Sequence, residues 1–188
     1  MKKVNKTKDA LIQAGIRELR EYGFTEFSIR RIAGACGVSC ATPYRHFKNK
    51  DEFVLEIFKY INRRWYTVQN MILSEYEGTR DRLIEMSVAY IRFLRENPDY
   101  YTIIMLRNPA MSDDQNREKQ SISSCVRGLV RQYCDDTGMD EQSRVRKTYV
   151  VRSLIFGAAL MMAGGELADD EATYDMIRAS VAREFDLP

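Results

Sequence analysis

The sequence predicts an all-α protein in two parts, a three-helix head containing a helix-turn-helix and a larger helical body. Three observations predict it. Glycine and proline are sparse, 10 and 4 in 188 residues, and no stretch alternates apolar and polar residues long enough for a strand. Apolar residues recur instead at helical spacing along almost the whole chain. Charge divides unevenly: residues 1–50 carry 11 Lys/Arg against 4 Asp/Glu, and the remainder 18 against 23. A basic head on an acidic body points to a polyanionic partner.

The first helix is expected from about Thr7 to Tyr22, with Leu11, Ile12, Ile16 and Leu19 on one stripe and Gly23 as its stop. Ser28 is a good N-cap for a short helix through Ile32 and Ala33, ending near Cys36-Gly37. Ser39 caps another short helix reaching Phe47. Asn49, with Glu52 three residues on, reads as a capping box opening a long helix that carries Phe53, Ile57, Ile61, Trp65 and Ile72. A further helix runs from Thr79 to Asn97-Pro98, where proline ends it. A short one follows over Tyr100–Leu106. Ser112 to Lys119 is polar and reads as a loop or a frayed helix start. Helix resumes over Ile122–Tyr133, turns at Asp135–Gly138, and continues as two final helices, Gln142–Gly164 and Asp170–Phe185, parted by Gly164-Gly165.

Composition excludes several classes of function. The four cysteines (Cys36, Cys40, Cys125, Cys134) match no zinc spacing and are expected as reduced thiols. The single histidine, His46, leaves a Ser-His-Asp or Cys-His hydrolase one candidate base and a metal site one imidazole. No cofactor or metal is expected, and an enzyme is the weakest reading. No apolar run approaches the ~20 residues that span a bilayer, and the basic start leads into charged sequence rather than a signal segment. A cytoplasmic protein is expected.

Residues 28–47, SIRRIAGACGVSCATPYRHF, have the anatomy of a helix-turn-helix. Ala33 is small where two helices would cross, and Gly37 can take the left-handed conformation of the turn. Ile32, Val38 and Phe47 are expected inward, and Cys40, Ala41, Tyr44 and Arg45 outward, a slim tip suited to a major groove. Pro43 has no N–H, which predicts a second helix that starts late or is distorted.

Residues 7–58 resemble the N-terminal DNA-binding domain of the TetR family of bacterial transcriptional regulators. The resemblance rests on Tyr22-Gly23-Phe24, Ile32-Ala33, Gly37-Val38-Ser39, Thr42, Tyr44-Arg45-His46-Phe47 and Asn49-Lys50-Asp51-Glu52-Phe53. It implies that Ser28 and Arg30 face phosphate, and that Thr42, Tyr44 and His46 bond the DNA backbone. Lys50, at a helix N-terminus, would pair with a phosphate. Cys40, Ala41 and Arg45 would meet base edges, with Arg45 the best donor to guanine. The family commonly has alanine where this chain has Gly15, at a propensity cost of ~1 kcal/mol.

By the same resemblance, residues 1–50 are the DNA-binding domain and residues 51–188 the ligand-binding and dimerisation domain. The body then holds a small-molecule effector, for which Trp65, Tyr66, Tyr90, Phe93, Tyr100, Tyr101 and Met105 are the candidate lining, and a homodimer contact. The sequence supports a dimer face independently. Tyr174, Ile177, Val181 and Phe185 fall on one side of the last helix, and Val150, Leu154, Ala158 and Met161 on the helix before it. The reading is a homodimeric, ligand-responsive regulator, a repressor on a palindromic operator in double-stranded DNA. An activator and a non-transcriptional DNA-binding protein of similar fold remain as alternatives. Nothing in the sequence names the effector.

Overall fold

The computed structural model describes residues 2–105 and 107–186. Among them lie nine α-helices and no strand: α1 Lys2–Tyr22, α2 Ile29–Ala35, α3 Lys50–Glu75, α4 Thr79–Glu96, α5 Pro98–Met105, α6 Asp113–Ser121, α7 Ser124–Thr137, α8 Glu141–Ala163 and α9 Glu171–Asp186. Leu106, the expected last residue of α5, lies outside the described residues. Among the described residues no helix is long and apolar enough to cross a membrane.

The caps expected at Ser28 and Asn49 form, whereas Ser39 does not cap the segment after the turn, its hydroxyl lying instead against that of Thr42. The Ser28 side chain accepts the Arg31 N–H at 3.3 Å, and Asn49 Oδ1 accepts the Glu52 N–H at 2.9 Å. The Glu52 carboxylate does not return to Asn49, as a strict capping box requires, but accepts the Lys48 N–H at 2.5 Å. Gly23, Gly37 and Gly138 close helices with positive φ.

Two expected elements differ. Residues 113–121 form a helix rather than a loop. Ser112 and Gln115 make a reciprocal capping box there, and the fully buried Gln115 amide donates to the Asp51 carbonyl at 3.0 Å. A tertiary anchor thus stabilises a stretch with no apolar face of its own. The segment after the helix-turn-helix turn is only a single 3-10 turn, Pro43–Arg45. In an α-helix the residue at 43 would donate to the Ser39 carbonyl, which proline cannot do. Thr42 N–H takes that carbonyl at 2.9 Å, and Arg45 and His46 repeat the three-residue step.

The chain forms two compact units, Met1–Arg64 with Pro98–Ile122, and Trp65–Asn97 with Ser123–Pro188. These are cut differently from the domains expected at residue 50, because α5 and α6 pack with the head. In the first unit α1, α2 and the start of α3 close over Leu11, Ile12, Ile16, Ile32, Phe47 and Phe53. Phe53 stacks on Phe47 at 3.9 Å and meets Phe27 edge-on at 5.4 Å. A β-carbon on Gly15 would stand 2.8 Å from Ile57 Cδ1 and 2.9 Å from the Phe53 ring. The glycine lets α1 approach α3, which accounts for the departure from alanine.

In the second unit α4 packs against α7, α8 and α9. Three arginine pairs tie α9 to α4: Arg80 to Asp186, Arg92 to Glu171 and Arg178 to Glu85. Tyr133 meets Phe185 edge-on and donates its hydroxyl to the Phe185 carbonyl at 2.7 Å.

That packing corrects the expected dimer face. Tyr174, Ile177, Val181 and Phe185 are buried inside a single chain, with Val181 0% exposed, and Ala158 is buried as well. Val150 and Leu154 are half-buried and only Met161 is exposed. The α9 stripe closes the unit's own core, since a unit this small needs every apolar helix face. The large apolar residues left outward on α8 are Val145, Tyr149, Leu160 and Met161, the first three at i, i+4 and i+15, with Met176 on α9.

Candidate nucleic-acid interface

The 3-10 turn presents its side chains in two directions. Pro43 and Phe47 are buried and pin the turn to the core, while Tyr44 is 58% exposed and Cys40, Ala41 and Arg45 are exposed beside it. Thr42 and His46 are half-buried, and the Thr42 and Ser39 hydroxyls lie 3.0 Å apart. Arg30 is exposed on α2 and Ser28 is half-buried at its cap. Of the sequence-predicted residues of the head, Arg30, Cys40, Ala41, Tyr44 and Arg45 are exposed, and Ser28, Thr42, His46 and Lys50 are half-buried.

Lys50 is placed differently from a bare phosphate contact. Its ammonium donates to the Thr25 carbonyl at 3.0 Å and lies 4.8 Å over the Phe24 ring. One of three ammonium donors is so engaged, and the bond ties the first turn of α3 to the α1–α2 loop.

Sequence reasoning missed the residues that aim α2. Glu18 on α1 is 7% exposed. Its Oε1 accepts the Ser28 backbone N–H at 2.9 Å and the Arg31 Nε at 2.8 Å. Arg31 also stacks 4.2 Å over the Tyr22 ring and donates to the Glu26 carbonyl. Its hydrogen bond to Glu18 raises its pKa. One carboxylate thus holds both the cap and the first turn of α2. The signal available was the polar Glu18 beside the apolar stripe of α1, between Ile16 and Leu19.

The expected pocket residues separate. Trp65, Tyr90 and Phe93 meet in the second unit, Trp65 lying 4.9 Å from Tyr90 and 5.3 Å from Phe93. Phe156 joins them, 6.3 Å from Tyr90. Burial pushes the Tyr90 hydroxyl up to about 12. One turn along α3 from Trp65, the buried Gln69 Nε2 has no hydrogen-bond partner. Tyr66 turns to solvent. Tyr100, Tyr101 and Met105 belong to α5 in the first unit. There Tyr100 is buried, which raises its pKa, while Tyr101 is half-buried and Met105 is exposed. Among the described residues no group of three or more His, Cys, Asp or Glu is placed to hold a metal ion.

Two family models match the chain. Residues 11–57 match the family model described as bacterial regulatory proteins, tetR family. Residues 83–184 match the tetracyclin repressor-like C-terminal domain. The chain is 25% identical over 107 residues to the uncharacterized HTH-type transcriptional regulator YerO of Bacillus subtilis, covering 56% of this chain but only 37% of that protein. It is 24% identical over 166 residues to the nucleoid occlusion factor SlmA of Vibrio campbellii, covering 85% and 80%. The crystal structure of a TetR family transcription regulator from Marinobacter aquaeolei superposes with a TM-score of 0.79 at 18% identity, covering 98% of each chain.

Proposed function

Because the chain belongs to the TetR family of bacterial regulatory proteins, we propose that this DNA-binding transcriptional regulator is a homodimeric repressor that leaves a palindromic operator when a small molecule binds. The observation that carries the reading is the pairing of exposed Tyr44 and Arg45 above buried Pro43 and Phe47. A turn pinned from below offers one donor to the backbone and one to a base edge without disturbing the core. Arg45 reads a base, with Cys40 and Ala41 beside it. Ser28, Arg30, Thr42, Tyr44 and His46 meet phosphate and sugar, and Lys50 gives a second N–H to a phosphate while holding Thr25. Function divides at residue 50, into a DNA-binding head over 1–50 and a ligand-binding and dimerisation part over 51–188. The protein acts on DNA in the cytoplasm and performs no chemistry of its own.

Dimerisation uses the outward stripe of α8. That helix is apolar on both sides: Val151, Ala158 and Met162 face the core, while Val145, Tyr149 and Leu160 face out. Two-fold pairing through the second side places two heads on the two half-sites of a palindrome. The cluster of Trp65, Tyr90, Phe93 and Phe156, with the unsatisfied Gln69 amide nearby, suits an apolar ligand carrying a hydrogen-bond acceptor.

Selection of bound fragments from genomic DNA tests the reading. A single short palindrome upstream of one or a few genes is expected. Many scattered sites would favour a second reading, an architectural DNA-binding protein, which similarity to the nucleoid occlusion factor over most of the chain supports.

A further inference from the structure

The first unit contains a cleft of about 490 Å³ that no sequence feature announced. Its lining is Arg107, Asn108 and Pro109 from the α5–α6 connection, and Asn116, Lys119 and Gln120 from one face of α6. The lining holds two cations, three amides and no carboxylate. Glu118, the acid next to Lys119, is turned away and accepts from Asn62 of α3. Burial, and then the neighbouring Arg107, lower the Lys119 pKa, and an anion bound between the two would favour the charged ammonium. The volume falls within the ~300–1,000 Å³ of small-molecule sites and exceeds what a lone phosphate ion fills. A convex duplex backbone would be met by protruding lysines and arginines rather than by a hollow with half-buried Lys119.

The cleft is joined to the DNA-facing head by hydrogen bonds within the same unit. Asn108 Nδ2 donates to the Thr25 hydroxyl at 3.3 Å, and Lys50 donates to the Thr25 carbonyl at 3.0 Å. The far end of α6 is fixed beside Lys50, through Gln115 on the Asp51 carbonyl. We propose that the cleft binds a small polar organic anion, one bearing phosphate or carboxylate groups, and that its occupancy is read at Lys50 through Asn108 and Thr25. The anion accepts from the Arg107 guanidinium and the Lys119 ammonium, while the amides bond its neutral body. Drawing Asn108 toward the ligand releases Thr25 and changes what Lys50 holds. An effect on DNA affinity rests on the regulator reading; the binding step does not.

The test is a titration of the full chain with pyrophosphate and, separately, with citrate at constant ionic strength, followed by amide NMR. Saturable shifts are expected at Arg107, Lys119 and Gln120, with Thr25 and Lys50 moving along the same isotherm. Combining Arg107→Gln with Lys119→Gln should weaken binding at least about tenfold. Arg107→Lys, which keeps the charge, should retain most of it. Thr25→Val should keep the binding and remove the shift at Lys50. Absence of a saturable response to either probe up to about 10 mM overturns the proposal. Shifts confined to Arg30, Tyr44 and Arg45 do the same, since the anion would then be standing in for DNA phosphate. A Lys50 shift that survives Thr25→Val overturns the relay. Should the chain bind the probes as expected and bind no duplex DNA, the regulator reading is the one that fails.

Discussion

The Arg31 Nε donates to Glu18 Oε1 at 2.8 Å, and the same oxygen accepts the Ser28 N–H at 2.9 Å. The start of α2 is thus fastened to α1 at one buried point. Glu18→Gln keeps the size of the side chain but removes the charge that holds a guanidinium and an amide together. We expect faster hydrogen exchange at Ser28 and Arg31, and duplex binding at least about threefold weaker, while α1 and α3 stay protected. Exchange at those two amides as slow as in the parent protein would show that Glu18 does not aim α2.

Tyr44 and Arg45 should separate affinity from specificity. Tyr44→Ala is expected to weaken binding to all sequences by a similar factor, since it removes a backbone contact. Arg45→Ala should cost ~1–3 kcal/mol at one base position of each half-site and relax the preference there. Binding measured against a set of singly substituted operators distinguishes them. An Arg45→Ala variant with the parent's full preference would remove Arg45 from base reading.

The dimer prediction follows the outward face of α8. Leu160 and Tyr149 are 61% and 72% exposed in the single chain, so Leu160→Glu should leave the fold intact and yield a monomer that binds its operator weakly. Val181→Asp should behave otherwise. An unpaired carboxylate at a position with no exposure costs several kcal/mol, and the second unit should lose its cooperative melting. Sedimentation with a melting curve checks both. A Leu160→Glu protein that stays dimeric at micromolar concentration would place the contact elsewhere.

Acid should loosen the first unit at Glu56. Burial raises its pKa, but hydrogen bonds from Lys8 of α1 and from Lys59 outweigh this and hold it below the ordinary 4.5. A carboxyl depressed in the folded state contributes stability that is whole above its unfolded pKa and is lost as pH falls through the folded one. Glu56→Gln should therefore cost up to about 1 kcal/mol at neutral pH, a figure limited by solvent screening. Urea midpoints of the two proteins should converge toward pH 3. A gap that is the same at both pH values would mean that the Lys8 pairing contributes nothing.

The head was largely legible because its determinants are local. Ser28, Asn49 and the glycines at 23 and 37 act on backbone groups within four residues, so their effect follows from the sequence alone. Pro43 is of the same kind: a missing N–H forecast a distorted recognition segment, and the segment is a single 3-10 turn. Tyr44 and Arg45 lie outward because Pro43 and Phe47, four residues apart, are the positions that turn inward.

What the sequence by itself determined was where helices begin, where they end and which of their faces are apolar. Only the tertiary structure decided what each face meets. Periodicity marks Ile177 and Val181 as one stripe without saying whether a neighbouring helix or a second chain covers it, and α4 and α8 cover it here. Gly15 read as a small loss of helix propensity until α3 brought Ile57 and Phe53 against it. The helix at 113–121 has no apolar periodicity to betray it, because Gln115 is held by a carbonyl 64 residues away in the chain. Contacts between residues far apart in sequence leave no local pattern, and they decide how α6, α9 and Lys50 are placed.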